Sequence, residues 1–104
     1  MKFLLILQGD DDPCLRRDEF ERAAYDAGEL VGGELLAHPQ LAVHLPDPPA
    51  TTPIDGFYLI DGFYLIDVEN PERAVELARL LPDARTTGRS VEIRAVMNST
   101  AADF

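Results

Sequence analysis

The sequence predicts an α+β domain in which two helices cover one face of an antiparallel sheet. Three observations predict it. Residues 3–7 and 63–68 are short runs that are apolar at nearly every position, as in strands with both faces covered. Two other segments carry apolar residues at helical spacing, each behind an Asx-Pro pair: Phe20, Ala23, Ala24 and Ala27 after Asp12-Pro13, and Ala74, Leu77, Ala78 and Leu81 after Asn70-Pro71. Residues 90–96 alternate Val91, Ile93 and Ala95 with Glu92 and Arg94, the pattern of a half-buried strand.

The first strand covers residues 2–8. Its apolar run is too short for a signal peptide and is followed by Gly9 and three aspartates, with no small-residue cleavage site. Asp12 is expected to cap the first helix, with Pro13 at its first position, and Gly28 to stop it. Residues 30–36 form the next extended segment, with Gly32-Gly33 allowing a bend, and His38-Pro39 ends it. Residues 41–45 read as a short strand. Residues 46–53 hold four of the eight prolines and read as a stiff loop. The second helix runs from Asn70-Pro71 to Pro82, with Glu72 in its first turn where the helix dipole favours an acid. A turn at Gly88 leads into the last strand. The domain spans 1–97, and 98–104 reads as a loose tail. The order is the split βαβ pattern of a ferredoxin-like domain.

A chain of 104 residues suits one domain and buries only roughly 65% of its unfolded surface. Two helices on one face leave the other face of an apolar sheet bare, and an exposed apolar face on a soluble protein calls for a partner. Packing against an identical subunit through the sheet faces would cover it, which predicts a homodimer.

The net charge of −10 repels phosphate backbones and anionic membranes, so neither nucleic acid nor membrane is an expected partner. No stretch approaches the ~20 apolar residues of a membrane span. Cys14 is the single cysteine, which excludes a disulfide framework and a thiolate metal cluster and fits a cytoplasmic setting. The sequence carries no phosphate-binding loop, dinucleotide fingerprint or zinc motif, so no cofactor and no metal are expected.

Asp55-Gly56-Phe57-Tyr58-Leu59-Ile60 is repeated without change as residues 61–66. Two structural readings are open. Asp61-Gly62 is a favoured two-residue hairpin turn, which would pair the two copies as neighbouring strands. Alternatively, only the later copy is the central strand and the earlier one fills a loop or edge. Because the copies are identical, either can occupy the central position, and register slippage or strand exchange is a hazard.

The residues also carry a family resemblance. Residues 1–6, the Ala27-Gly28-Glu29-Leu30-Val31-Gly32-Gly33-Glu34 segment, residues 62–68, the helix at Pro71-Glu72-Arg73-Ala74 and residues 90–96 resemble, in order, the YCII-related proteins, in the branch named for an Asp-Gly-Pro-Phe motif. The resemblance implies a dimeric ferredoxin-like α+β barrel. It also implies a fold used in some relatives for chemistry on small organic molecules through a His–Asp pair, and in others associated with sigma-factor regulation. This chain departs from the pattern at Ile54-Asp55-Gly56-Phe57, which lacks the proline, in the first copy of Phe-Tyr-Leu-Ile that follows, and at Arg17, where enzyme-like relatives place a histidine.

The candidate chemistry is sparse. His38 and His44 are the only histidines; His38 is a candidate general base, and His44, between Val43 and Leu45, is expected to face solvent. Asp55 is a candidate carboxylate base, with turn formation as its ordinary role. Glu34 and Arg94 are charges on apolar strands and, with Gly56 and Phe57, are candidate ligand contacts; a cross-strand or interface ion pair is the plainer role for the two charges. Asp10, Asp11 and Asp12 lack the spaced ligands of a calcium loop, and Cys14 reads as an incidental thiol. These features predict a small-molecule-binding or regulatory module. The alternative is a small lyase- or isomerase-like enzyme using a carboxylate or His38 as base on a small substrate, aromatic ones included.

Overall fold

The first strand, β1 (Lys2–Gly9), shows why the sheet has two unlike faces. Phe3, Leu5 and Leu7 are buried on one side, while Leu4, Ile6 and Gln8 are half-buried on the other. In the computed structural model, residues 1–9, 15–43, 45–46 and 60–100 are described. Beyond β1 they form α1 (Asp18–Asp26), β2 (Leu30–Leu35), β3 (Ile60–Asp67), α2 (Pro71–Ala78) and β4 (Arg89–Ala95), with short 3-10 turns at Pro39–Leu41 and Pro82–Ala84. The strands form one antiparallel sheet in the order β2-β3-β1-β4. The architecture is therefore α+β, and its strand order is compatible with a ferredoxin-like domain.

Both helices lie on the face that carries Phe3, Leu5, Leu7, Tyr64 and Ile66. Phe20 and Ala24 of α1, and Ala74, Leu77 and Ala78 of α2 with Leu81 just beyond it, complete the core. These are the stripes that the helical spacing predicts, with one correction: Ala27 lies past the end of α1 and is exposed. Asn70 caps α2 as expected: its Oδ1 accepts a hydrogen bond from the Arg73 N–H at 2.8 Å, and Pro71 follows it. Gly28, at φ +71°, ends α1, and the Glu29 N–H closes back on the Ala24 carbonyl at 2.9 Å.

Three local expectations are corrected. Asp12-Pro13 lies outside the described residues, and residues 15–17 are not helical, so α1 begins at Asp18, with Arg17 in the capping position. Arg17 offers no side-chain cap, because a guanidinium has no acceptor for the first-turn N–H groups; it donates across the domain to Asp83 instead. Residues 41–43 form no strand: Leu41 ends a 3-10 turn in which the Ala42 N–H bonds the Pro39 carbonyl at 3.0 Å. Asp61-Gly62 is not a hairpin turn but lies inside β3, with β1 on one side and β2 on the other. Pairing on two sides outweighs a local turn preference. The earlier copy, residues 55–59, lies outside the described residues, as do His44 and Cys14.

Candidate functional site

At the end of the sheet where β1 finishes and β4 begins, the helix-covered face turns from apolar to charged. Leu7 is the last apolar residue of β1 on that face; Gly9, next on the same side, pairs with Arg89 at the start of β4. A Cβ at Gly9 would stand 2.1 Å from the Gly88 carbonyl oxygen, and its φ is +125°, so glycine alone fits this crossing. Asp83, from the 3-10 turn after α2, reaches the same point and is fully buried.

Arg17 and Arg89 converge on Asp83. Arg17 donates from Nε to Oδ1 and from Nη2 to Oδ2, both at 2.9 Å. Arg89 donates from Nε to Oδ2 at 3.0 Å, and its Nη2 lies 2.7 Å from Asp61 Oδ2 on β3. Buried Arg89 and partly buried Arg17 thus meet two carboxylates, as charge at the edge of a low-dielectric interior requires. Burial pushes the Asp83 carboxyl up, but the hydrogen bonds and charges of Arg17 and Arg89 outweigh it and hold the group below its ordinary range. The Asp83 hydrogen bond holds Arg17 above its ordinary value against the opposing effect of burial.

Tyr64 adjoins this cluster. Its ring packs on Phe20, with centroids 4.6 Å apart, and its hydroxyl donates to Glu21 Oε2 at 2.5 Å. Burial, then the hydrogen bond to the Glu21 carboxylate, pushes the phenol well above its ordinary value. Tyr64 is therefore a fixed donor at neutral pH and not a base. Next to it, Gly33, Glu34, Leu35 and Tyr64 line a small cleft of about 70 Å³ at the β2 edge. Gly33 makes that edge possible: a Cβ there would meet Tyr64 Cδ1 at 2.6 Å and the Phe63 carbonyl oxygen at 2.8 Å.

A second, wider groove of about 540 Å³ lies at the far end of α1, lined by Ala27, Gly28, Glu29, Asp67, Val68, Glu69 and Arg73. Its one cation is already committed, since Arg73 bonds Glu29 through Nε and Nη2 at 3.0 and 2.8 Å and also pairs with Glu76.

The candidates from the sequence are scattered. Glu34 contributes to the small cleft. Arg94 pairs with Glu92 on the opposite edge strand, three strand spacings or about 14 Å away. His38 is exposed, and its Nδ1 accepts the Gln40 N–H at 3.1 Å, capping the 3-10 turn. Asp55, Gly56 and Phe57 lie outside the described residues. Within one chain, Glu34, His38 and Arg94 are not brought together. The sequence reading missed Arg17, Glu21, Asp61, Tyr64, Asp83 and Arg89. Arg17 and Asp83 are 66 residues apart, and no local pattern links them.

Among the described residues no group of histidine, cysteine, aspartate and glutamate side chains could hold a metal ion, and no helix is long and apolar enough to cross a membrane. No family model matches this chain, and neither a curated protein nor a solved structure does.

Proposed function

We propose that this chain is a small-molecule-binding or regulatory module of the YCII-related kind, working as a homodimer whose subunits pack through their open sheet faces. The observation that carries the binding reading is the self-neutralised cluster of Arg17, Asp61, Asp83 and Arg89 beside the cleft at Tyr64. Its carboxylate Asp83 is held ionised by two guanidinium groups, and Tyr64 is held protonated. Such groups position a ligand through fixed donors and acceptors and transfer protons poorly near neutral pH.

The pairing rests on the open face. Leu4 lies between Leu65 and Arg94 there, and Ile6 between Phe63 and Glu92. Glu34 flanks Phe63 on the far side. An apolar centre with charges at both edges has the anatomy of a protein interface. The β2 edge and the segment after it add exposed Val31, Leu35, Leu36, Leu41 and Val43.

One observation favours the enzymatic alternative. The Glu21 carboxylate accepts the Tyr64 hydroxyl next to the cleft, so Glu21 is the carboxylate placed to serve as a base. A ligand-observed NMR screen of small carboxylic acids and phenols against the whole chain, repeated on Leu35→Trp, which fills the cleft from an exposed lining position, tests the binding site. Hits on the native chain that vanish with Leu35→Trp support it; hits indifferent to that change place binding elsewhere. Turnover of any hit that Glu21→Gln abolishes would move the reading to the enzyme. Light scattering after size exclusion tests the dimer: Leu4→Glu should give a folded monomer, and a native chain that is already monomeric at micromolar concentration refutes the pairing.

A further inference from the structure

The repeat reaches further than six residues once the bounds of β3 are known. β3 is Ile60–Asp67, Ile-Asp-Gly-Phe-Tyr-Leu-Ile-Asp, and residues 54–61 have the same sequence throughout. Every side chain of the central strand has an identical counterpart six positions earlier. Six is even, so a shift by that amount keeps each side chain on its own face of the sheet.

We propose that the β3 slot is a two-register device, which residues 60–67 or residues 54–61 can occupy with the same contacts. In the shifted register Asp55 takes the place of Asp61 opposite Arg89, and Tyr58 that of Tyr64 between Phe20 and Glu21. Ile60 takes the fully buried place of Ile66. Gly56 takes the place of Gly62, where a Cβ would stand 2.4 Å from the Glu34 carbonyl oxygen and only glycine fits. Asp61 moves to the place of Asp67. The charged cluster and the cleft are rebuilt unchanged. The connection from β2 becomes six residues shorter and the connection to α2 six residues longer.

What selects the observed register lies just past the repeat. Val68 is buried in the core, and its counterpart six positions earlier is Gly62. The observed register also reaches the Asn70 cap of α2 through residues 68 and 69 alone, whereas the shifted one must order a longer link. The valine and the short link make residues 60–67 the major occupant. They also show how to invert the preference. Gly62→Val places a side chain against the Glu34 carbonyl in the observed register, and in the shifted register it supplies the missing core valine.

Amide hydrogen exchange read by NMR on the whole chain, with both copies assigned, tests the device. In the native chain the amides of residues 63–66 are protected. In Gly62→Val protection moves to residues 57–60, and residues 63–66 exchange at least 10-fold faster. A Gly62→Val chain that unfolds, or that still protects residues 63–66, overturns the proposal. Tyrosine substitutions give an independent reading. Tyr64→Ala should lower the urea midpoint much less than Tyr58→Ala and Tyr64→Ala combined, because the first copy supplies the lost ring. Equal midpoints for the single and the double variant also overturn it.

Discussion

The Arg17 guanidinium holds the Asp83 carboxylate through two parallel hydrogen bonds of 2.9 Å, joining the residue before α1 to the turn after α2. That fork, planar cation on planar anion, is the geometry in which arginine outperforms lysine. It sits over the end of the sheet, where Arg89 completes the coordination of the same carboxylate. One buried aspartate therefore ties α1, the end of α2 and the edge strand β4 together.

Asp83→Asn removes the fully buried anion, leaving Arg17 without its carboxylate and Arg89 with Asp61 alone. Breaking a buried pair in this way costs about 3–5 kcal/mol, and urea denaturation should show a loss of that size. The pH dependence has a definite sign. The folded Asp83 carboxyl is depressed below its ordinary value of 3.8, so its stabilisation is fully present above about pH 4 and is lost as pH falls through the depressed value. Denaturation curves taken between pH 6 and pH 2 should fall more steeply for the native chain than for Asp83→Asn. Parallel curves would deny Asp83 its role in acid stability.

Tyr64→Phe keeps the ring on Phe20 and removes only the hydroxyl that Glu21 accepts. A hydrogen bond to a charged group is worth about 1.5–3 kcal/mol, which sets the expected loss. The folded phenol titrates above its ordinary value of 10.0, so the stability it confers is intact below pH 10 and declines as pH rises beyond it. Tyr64→Phe should lack that alkaline decline, and spectroscopic unfolding at pH 9 and pH 11 measures the difference.

Neighbouring leucines on β1 should respond in opposite ways. Leu5 is fully buried under the helices, and Leu5→Ala should cost about 2–5 kcal/mol in chemical denaturation. Leu4 is half-buried on the open face. Leu4→Ala should cost the isolated chain little and should weaken self-association measured by sedimentation. Equal losses of monomer stability at the two positions would mean that both faces are covered by the chain's own residues.

Asn70→Ala removes the side chain that satisfies the Arg73 N–H at the start of α2. The expected cost is about 1 kcal/mol, seen as a lowered midpoint of thermal unfolding, and Asn70→Ser should recover most of it.

Much of the fold was readable without coordinates, because the signals behind it are local. The apolar stripes of Phe20 and Ala24, and of Ala74, Leu77 and Ala78, arise from the helical period. Asn70-Pro71 and Gly28 mark helix ends through backbone chemistry confined to a few residues. The alternation along β4 marked a strand with one covered face. Asp61-Gly62 misled for the same reason: the pair favours a turn when judged alone, and only ladders to β1 and β2 hold it extended. The site was hardly readable. Glu34 borders the cleft, but Arg17, Asp83 and Arg89 look like ordinary surface charges until the chain closes.

The order of the elements, their periodicity and the repeat were determined by the sequence alone, since each depends on residues within about one turn or one strand of each other. Which charges became buried partners was decided by the tertiary structure. An ion pair such as Arg17 with Asp83 draws its energy from exclusion of water, and that environment does not exist until α1, the turn after α2 and β4 have packed together.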